Sequence, residues 1–355
     1  MAAVVLTGHG GPETLHYRTD VPVPRPAPGE VLVKVAAAGI NNTDINTRLG
    51  WYAKSVTGGT TETLGAAATD ASADGGWAGA IAFPRIQGAD AVGRIVVVGQ
   101  GVAAERLGQR VLIEPCFRHQ CADGSVSADY LGSEWDGAFA QFVAVPASHA
   151  HAISESMSDR ALAAVPCAGS TALNLLTRTR VGAGERVLVT GASGGVGSFA
   201  VQLAKARGAH VIAVAGYDKA AAVKALGAAQ VVAREQPVGD MLGHDSVDVV
   251  IDVVGGTQWP ALLDVLRPGG RYGVSGAIAG PLVELDLRTL YLKDLTLYGC
   301  TVLGEEVFAE LVRVVETEAI RPAVAKTFAL SEIAQAQEMF QAKGFVGKLV
   351  LIPPD

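Results

Sequence analysis

The sequence has no cluster of basic residues, few cysteines and no long apolar run, and each shortage excludes a class of function. Lys and Arg total 28 against 35 Asp and Glu, a formal charge of −7. Such a chain is poorly suited to nucleic acid or to an anionic membrane surface. Cys116, Cys121, Cys167 and Cys300 are its only cysteines. They are not spaced as a disulfide framework, which points to a reducing compartment. Apolar runs such as VDVVIDVVGG are too short to span a bilayer. The start, MAAVVLTGHGGPE, lacks the basic residues and long apolar core of a signal peptide. A soluble, cytoplasmic protein is expected. Glycine, by contrast, is abundant, with 43 residues at sharp turns between apolar runs, the habit of an α/β protein with many tight connections. With 355 residues, 49% of them hydrophobic, the chain can build two domains with sizeable cores.

The first 150 or so residues are strand-rich. AAVVLT, EVLVKVAAAG, AVGRIVVVG, QRVLIEP and FAQFVAVP are short β-branched runs between Gly, Pro and Asp turns, read as an antiparallel, partly barrel-like domain. From about residue 155 strands and helices alternate. A helical stretch, DRALAAVPCAGSTALNLLTR, precedes strand RVLVTG, helix GGVGSFAVQLAKARG, strand HVIAVA, helix DKAAAVKALG, strands QVVA and VDVVIDVV, a helix near QWPALLDVL, and strands RYGVSG and LTLYGC. This alternation predicts an α/β fold with a doubly wound parallel sheet, and its strands are apolar throughout, as burial on both faces requires. Two helices (EEVFAELVRVVETE and SEIAQAQEMFQAK) and a strand, GKLVLIPP, follow residue 302 and are expected to return to the first domain. Residues 54–82, rich in Gly, Ala, Thr and Asp, are long for a connection and read as a disordered insertion or a functional lid.

The clearest chemical signal is GASGGVG between a strand and an amphipathic helix. Glycines there permit a tight turn and close approach to a pyrophosphate, and the helix directs its first amides at the negative charge. Ala192, Gly194 and Gly197 stand at the three positions of the glycine pattern, with alanine small enough to keep the turn. Ser193, Gly195 and Val196 complete the loop. At the end of the second strand, AVAGYDK offers no early carboxylate for ribose hydroxyls. Gly216 and Tyr217 leave room, Lys219 and Arg234 supply positive charge, and Asp218 reads as a helix starter, so NADP(H) is favoured over NAD(H). The alternative for Lys219 and Arg234 is ordinary solvated charge.

Together with PAPGEVLVKV, AAGINNTDINTR, GADAVGRIVVVGQGV, DGAFAQFVAVP, PCAGSTALNLL, LRPGGRYGVSG and GKLVLI, these motifs resemble the medium-chain dehydrogenase/reductase superfamily, and specifically its zinc-free quinone oxidoreductase-like branch. The resemblance covers nearly the whole chain. It implies a GroES-like catalytic domain from residues 1–154 and 303–355, with 54–82 inserted in it, and a Rossmann cofactor domain over 155–302. It also implies a cleft between them and a homodimer formed through the sheet edge near LTLYGC. Thr171, Val254, Ser275, Gly276 and Lys348 lie in the matching segments and are implied as further cofactor contacts.

In the metal-bearing branch of that family, ligands fall where Asn41, Ala89 and Cys167 stand here. One thiol cannot hold a catalytic zinc, which needs three protein ligands. Cys167 reads as a small buried residue, and EPCFRHQCADG supplies only half of a four-cysteine structural site. No metal is expected. The resemblance assigns Asn41 to hydrogen bonding with a substrate carbonyl or the nicotinamide ribose, Thr43 to a hydroxyl relay, Asp44 to the helix start, and Arg48 and Tyr52 to the cleft wall. Tyr52 is either a donor to developing negative charge or an amphipathic wall residue. Trp77, in the insertion, either packs on a planar substrate or is incidental. The implied activity is NADPH-dependent reduction of an activated double bond or quinone. An alcohol or carbonyl dehydrogenase, and a dinucleotide-binding structural or sensor protein without turnover, are the alternatives.

Overall fold

The computed structural model describes residues 1–60, 62 and 74–355. The most regular unit is a parallel sheet of six strands. In chain order these are Arg186–Val189, His210–Ala215, Gln230–Ala233, Val247–Asp252, Leu266–Val274 and Thr296–Gly299. All six were legible as β-branched runs. In space the third, second and first strands are followed by the fourth, fifth and sixth. Order therefore reverses between Arg186–Val189 and Val247–Asp252, which opens a crevice at their carboxyl ends.

Three buried side chains pin that reversal. Asp252 is fully buried and accepts from the Thr190 hydroxyl at 2.6 Å and the Tyr272 hydroxyl at 2.5 Å. It also accepts from the Val254 amide at 2.8 Å. Among the described residues no cation partners this carboxylate. Fixed N–H and O–H dipoles hold it instead, and they set the backbone at the crevice floor.

The second unit is a seven-stranded sheet. Glu30–Gly39 lies at its centre, paired antiparallel with Val92–Val98 and Phe142–Pro146. On another stretch it pairs with the C-terminal strand Lys348–Ile352, Val350 opposite Gly39. Val324–Ala329, a strand not read from the sequence, pairs with Lys348–Ile352 in parallel. The reason is the crossover helix Ile333–Ala342, which returns the chain to the same end of the sheet. Helix Val307–Glu316 packs on Pro166–Arg178, with Leu311 against Gly169.

The single helical stretch expected over 159–178 is two helices, Asp159–Leu162 and Pro166–Arg178. Pro166 has no N–H to give to a preceding turn, so it opens a helix instead of continuing one. The cysteine-bearing loop is a hairpin, Cys116–Gln120 with Val126–Tyr130, closed by backbone bonds. Cys116 is buried and Cys121 faces the Ser127 hydroxyl.

AAGINNTDIN ends the strand Glu30–Gly39 and opens a short helix, Asn42–Leu49, which is ended by Gly50 at φ 68°. It is polar in sequence, yet Thr43 through Leu49 are all buried. Such a helix survives only if its polar groups find partners. Gln87 Nε2 binds the Asp44 carbonyl and the Thr47 hydroxyl. Arg48 corrects the sequence reading: it does not line a cleft but is fully buried, donating to Gln337 Oε1 at 2.9 Å and to the Gly10 carbonyl at 2.6 Å. Five residues beyond Thr43, it points about 140° away around the helix.

Residues 61 and 63–73, the middle of the insertion expected to act as a lid, lie outside the described residues. The described flanks are tied down. The Thr60 amide donates to the Ile278 carbonyl at 3.0 Å, on the other domain. The Trp77 amide donates to Ser133 Oγ at 3.0 Å, and its ring stacks on Tyr130 with centroids 4.1 Å apart. One face of Trp77 is thus taken by protein. Among the described residues no helix is long and apolar enough to cross a membrane.

Candidate active site

The phosphate-type loop lies at the crevice. Gly191, not Ala192, makes the sharp turn, with φ 56°, while Ala192 is buried beneath it. The sequence pattern missed this because the turn glycine precedes the first pattern position. Gly194 caps helix Gly195–Ala206. The first intrahelical bond runs from the Ser198 amide to the Gly194 carbonyl, so the amides of Gly195, Val196 and Gly197 belong to the open first turn. The glycines differ in their space. A Cβ on Gly194 would meet only the Gly191 carbonyl oxygen, at 3.4 Å, whereas one on Gly197 would lie 2.3 Å from that oxygen. Gly194 keeps room for a ligand above the loop and Gly197 lets helix and strand close. A pyrophosphate fits this cradle.

Other expected cofactor residues divide. Ser275 and Gly276 follow the fifth strand at the crevice, and the Ser275 amide is fixed to the Asp252 carbonyl at 3.1 Å. Val254, bound to Asp252, also lies at the crevice floor. Ser193 uses its carbonyl to accept from the Gly347 amide at 2.9 Å, joining the loop to the C-terminal strand. The Thr171 hydroxyl donates to the Cys167 carbonyl at 2.7 Å, within its own helix. At the end of the second strand Tyr217 is exposed, and Arg234 pairs with Glu235 at 2.9 Å on the surface. Lys219 Nζ donates to the Lys343 carbonyl, and the Lys343 ammonium sits 3.9 Å from the Phe340 ring centroid. Burial, then the neighbouring Lys219 charge, lowers the Lys343 pKa to about 8. Asp218 folds back, its Oδ1 being 2.8 Å from where a Gly216 Cβ would stand. The sequence reading took Asp218 only as a helix starter; here its carboxylate reaches the strand end.

Lys348 is the largest departure from expectation. It is 1% exposed, and its ammonium lies 2.8 Å from Asp90 Oδ2 and also binds Asn41 Oδ1. Asn41 Nδ2 donates to the same Asp90 oxygen at 2.8 Å. Asp90 Oδ1 accepts from the Cys167 amide at 2.6 Å. Asp44 accepts from the Asn41 amide at 2.7 Å, and burial pushes its carboxyl up to about 7 against the pull of that bond and of Lys348. Ala89, next to Asp90, is buried and offers no donor atom.

Beside this cluster the Tyr52 hydroxyl donates to Thr43 Oγ1 at 3.2 Å. Burial pushes Tyr52 up to about 12, so it stays a protonated donor at neutral pH. Thr43, having accepted, retains its own proton to give. Burial raises the Cys167 thiol as well, and Asp90 adds to the rise, so a thiolate is disfavoured there. These residues do not fit a zinc ion. Asn41 has its oxygen on an ammonium, Ala89 is not a ligand, and Cys167 is left as the one ligand type of the three. Among the described residues there is no group of three His, Cys, Asp or Glu side chains arranged to hold a metal.

Residues 27–155 match the family described as alcohol dehydrogenase GroES-like domain, and residues 195–317 match zinc-binding dehydrogenase. Acryloyl-coenzyme A reductase of Metallosphaera sedula is 31% identical over 99% of each chain. Quinone oxidoreductase of Rattus norvegicus is 28% identical over 99% of this chain and 98% of its own. A crystal structure from Sinorhizobium meliloti 1021, named as a candidate alcohol dehydrogenase, superposes with TM-score 0.87 at 46% identity, covering 100% of this chain and 97% of that one.

The two glycines separate binding from folding. Gly197→Ala is expected to destabilise the protein by roughly 1–3 kcal/mol through backbone overpacking. Gly194→Ala is expected to keep the thermal midpoint while weakening dinucleotide binding in a fluorescence titration. The opposite pattern would place the ligand elsewhere.

Proposed function

The chain belongs to the medium-chain dehydrogenase/reductase superfamily of nicotinamide-dependent oxidoreductases, and from that premise we propose that it reduces an electron-poor carbon–carbon double bond or a quinone with NADPH, without zinc. The observation that carries this reading is the replacement of a metal's donor set by Asn41, Ala89 and a lone Cys167, next to neutral O–H donors. A simple ketone needs its carbonyl polarised strongly, commonly by a metal. A conjugated acceptor asks less. The named activities of the acryloyl-coenzyme A reductase and quinone oxidoreductase relatives support an acceptor of that kind.

Gly194 and the open amides of Gly195, Val196 and Gly197 would hold NADPH, which would supply a hydride for the electron-poor carbon; the substrate's enolate would then take its proton from solvent. The chain holds the two reactants together and excludes water. Thr43, backed by Tyr52, donates to the developing oxyanion, and the remaining N–H of Asn41 is the second donor. Lys219 and Lys343 are proposed to face the 2′-phosphate. Asp218 favours a second reading of the cofactor, since a carboxylate at the strand end suits ribose hydroxyls and so NADH. The Sinorhizobium match favours a second reading of the substrate, an alcohol or carbonyl.

A homodimer is proposed through the edge strand Thr296–Gly299, which pairs on one side only and lies near exposed Leu287, Tyr291 and Leu292. Unpaired cysteines support a reducing, cytoplasmic setting.

Steady-state assays with an enone, a quinone, an aldehyde and a ketone test the reading: turnover on the first two and little on the others is expected, and the reverse order establishes the carbonyl alternative. Thr43→Val lowers kcat on the enone by roughly 100-fold, and Tyr52→Phe by less because it acts through Thr43; wild-type turnover in both removes the pair from the site. NADPH is preferred over NADH, and Lys219→Ala erodes that preference. The preference also declines as pH rises past about 8, where Lys343 loses its proton. A preference for NADH assigns the ribose to Asp218. Sedimentation is expected to show a dimer that Leu297→Glu dissociates; an unchanged dimer places the interface elsewhere.

A further inference from the structure

Lys348 is buried where a cofactor contact was expected to be open, and its bonds explain why. Its ammonium joins Asn41 and Asp90, and Asp90 in turn holds the Cys167 amide. These are two of the three positions that match metal ligands in the other branch of the family, together with the neighbour of the third. The Lys348 stem crosses the phosphate-loop helix, where a Cβ on Gly195 would lie 2.9 Å from its Cδ. Gly347, just before it, is bonded to Ser193 of the same loop at 2.9 Å.

We propose that the Lys348 ammonium is the resident cation of this cleft, taking by hydrogen bonds the positioning role that coordination plays around a metal. The argument turns on the two ends of a carboxamide. An ammonium carries only donors, so it fixes the Asn41 oxygen toward itself. Asn41 Nδ2 is then forced to the other side, where one N–H binds Asp90 and the second is free for a substrate oxygen. With both the ammonium and the Asp90 carboxylate removed, the amide can flip and present its oxygen to an enolate, which repels it. Lys348 is therefore a positioning residue acting through Asn41. Its stem also packs against Gly195 in the first turn of the phosphate-loop helix. The inference rests on the hydride-transfer reading above.

The experiment uses the full-length protein, an enone substrate and NADPH. Metal content is measured by mass spectrometry, dinucleotide affinity by fluorescence, and kcat and KM by steady-state kinetics. Lys348→Met is the direct variant. Lys348→Met/Asp90→Leu removes both charges together, so it tests the idea even if the single variant does not fold. No stoichiometric transition metal is expected in the wild type. The charge-neutral double variant is expected to lose roughly 10- to 100-fold in kcat, with NADPH affinity within about threefold of wild type. Adding Asn41→Ala to that background is expected to cost nothing more, because the two act as one unit. Wild-type kcat in the folded double variant overturns the proposal. So do losses that multiply on adding Asn41→Ala, a loss confined to NADPH affinity, or a stoichiometric metal needed for turnover. A wild type inactive on every acceptor fails the functional reading first, which distinguishes the two.

Discussion

An ammonium taken out of water must be surrounded by oxygen, and around Lys348 those oxygens come from two distant parts of the chain. Asp90 follows the loop that precedes strand Val92–Val98, Asn41 caps the short polar helix, and Lys348 opens the last strand. Both charges of the Asp90–Lys348 pair are essentially without solvent. Removing one partner of such a pair typically costs roughly 3–5 kcal/mol, since the other is left unpaired in low dielectric. Replacing both by apolar groups costs far less. Much of this polarity is therefore poorly explained by stability alone, and makes better sense as a means of fixing one arrangement of side chains beside the reacting atoms.

The same economy appears at the crevice floor. Asp252 is held by two hydroxyls and two backbone amides, with no counter-ion among the described residues. Its oxygens link the first, fourth and fifth strands of the parallel sheet where strand order reverses. One half of the cleft is thus set by a hydrogen-bonded carboxylate and the other by a carboxylate paired with an ammonium. Between them runs the glycine loop, joined through Ser193 to Gly347. Chemistry at this junction depends on preformed donors more than on any single strong acid.

The regular parts of the fold were open to reading because their signals are local. Six apolar β-branched runs became six parallel strands, and the loop after RVLVT became a helix N-terminus. Elements whose cause lies elsewhere in the chain were not. Hairpin Cys116–Gln120 with Val126–Tyr130 has little alternation to mark it, and the break at Pro166 was hidden inside a good helical pattern. Arg48 and Lys348 were placed at the cleft by the family resemblance, which carries position along the chain and not the partners each side chain meets. Their partners, Gln337 and Asp90, lie 289 and 258 residues away, a distance no pattern in the sequence spans. The fold-back of Asp218 over Gly216 likewise depends on the turn geometry, which composition does not specify.

The central claim is that a hydride crosses to carbon beside a lysine ammonium that stands where a metal would otherwise organise the site. The most direct measurement is single-turnover reduction of an enone by NADPH carrying deuterium at nicotinamide C4, using protein dialysed against a strong chelator, with the product read by mass spectrometry and NMR. The account predicts one deuterium on the carbon β to the carbonyl at an undiminished rate. Deuterium on the carbinol carbon, or turnover that returns only when zinc is added back, would contradict it.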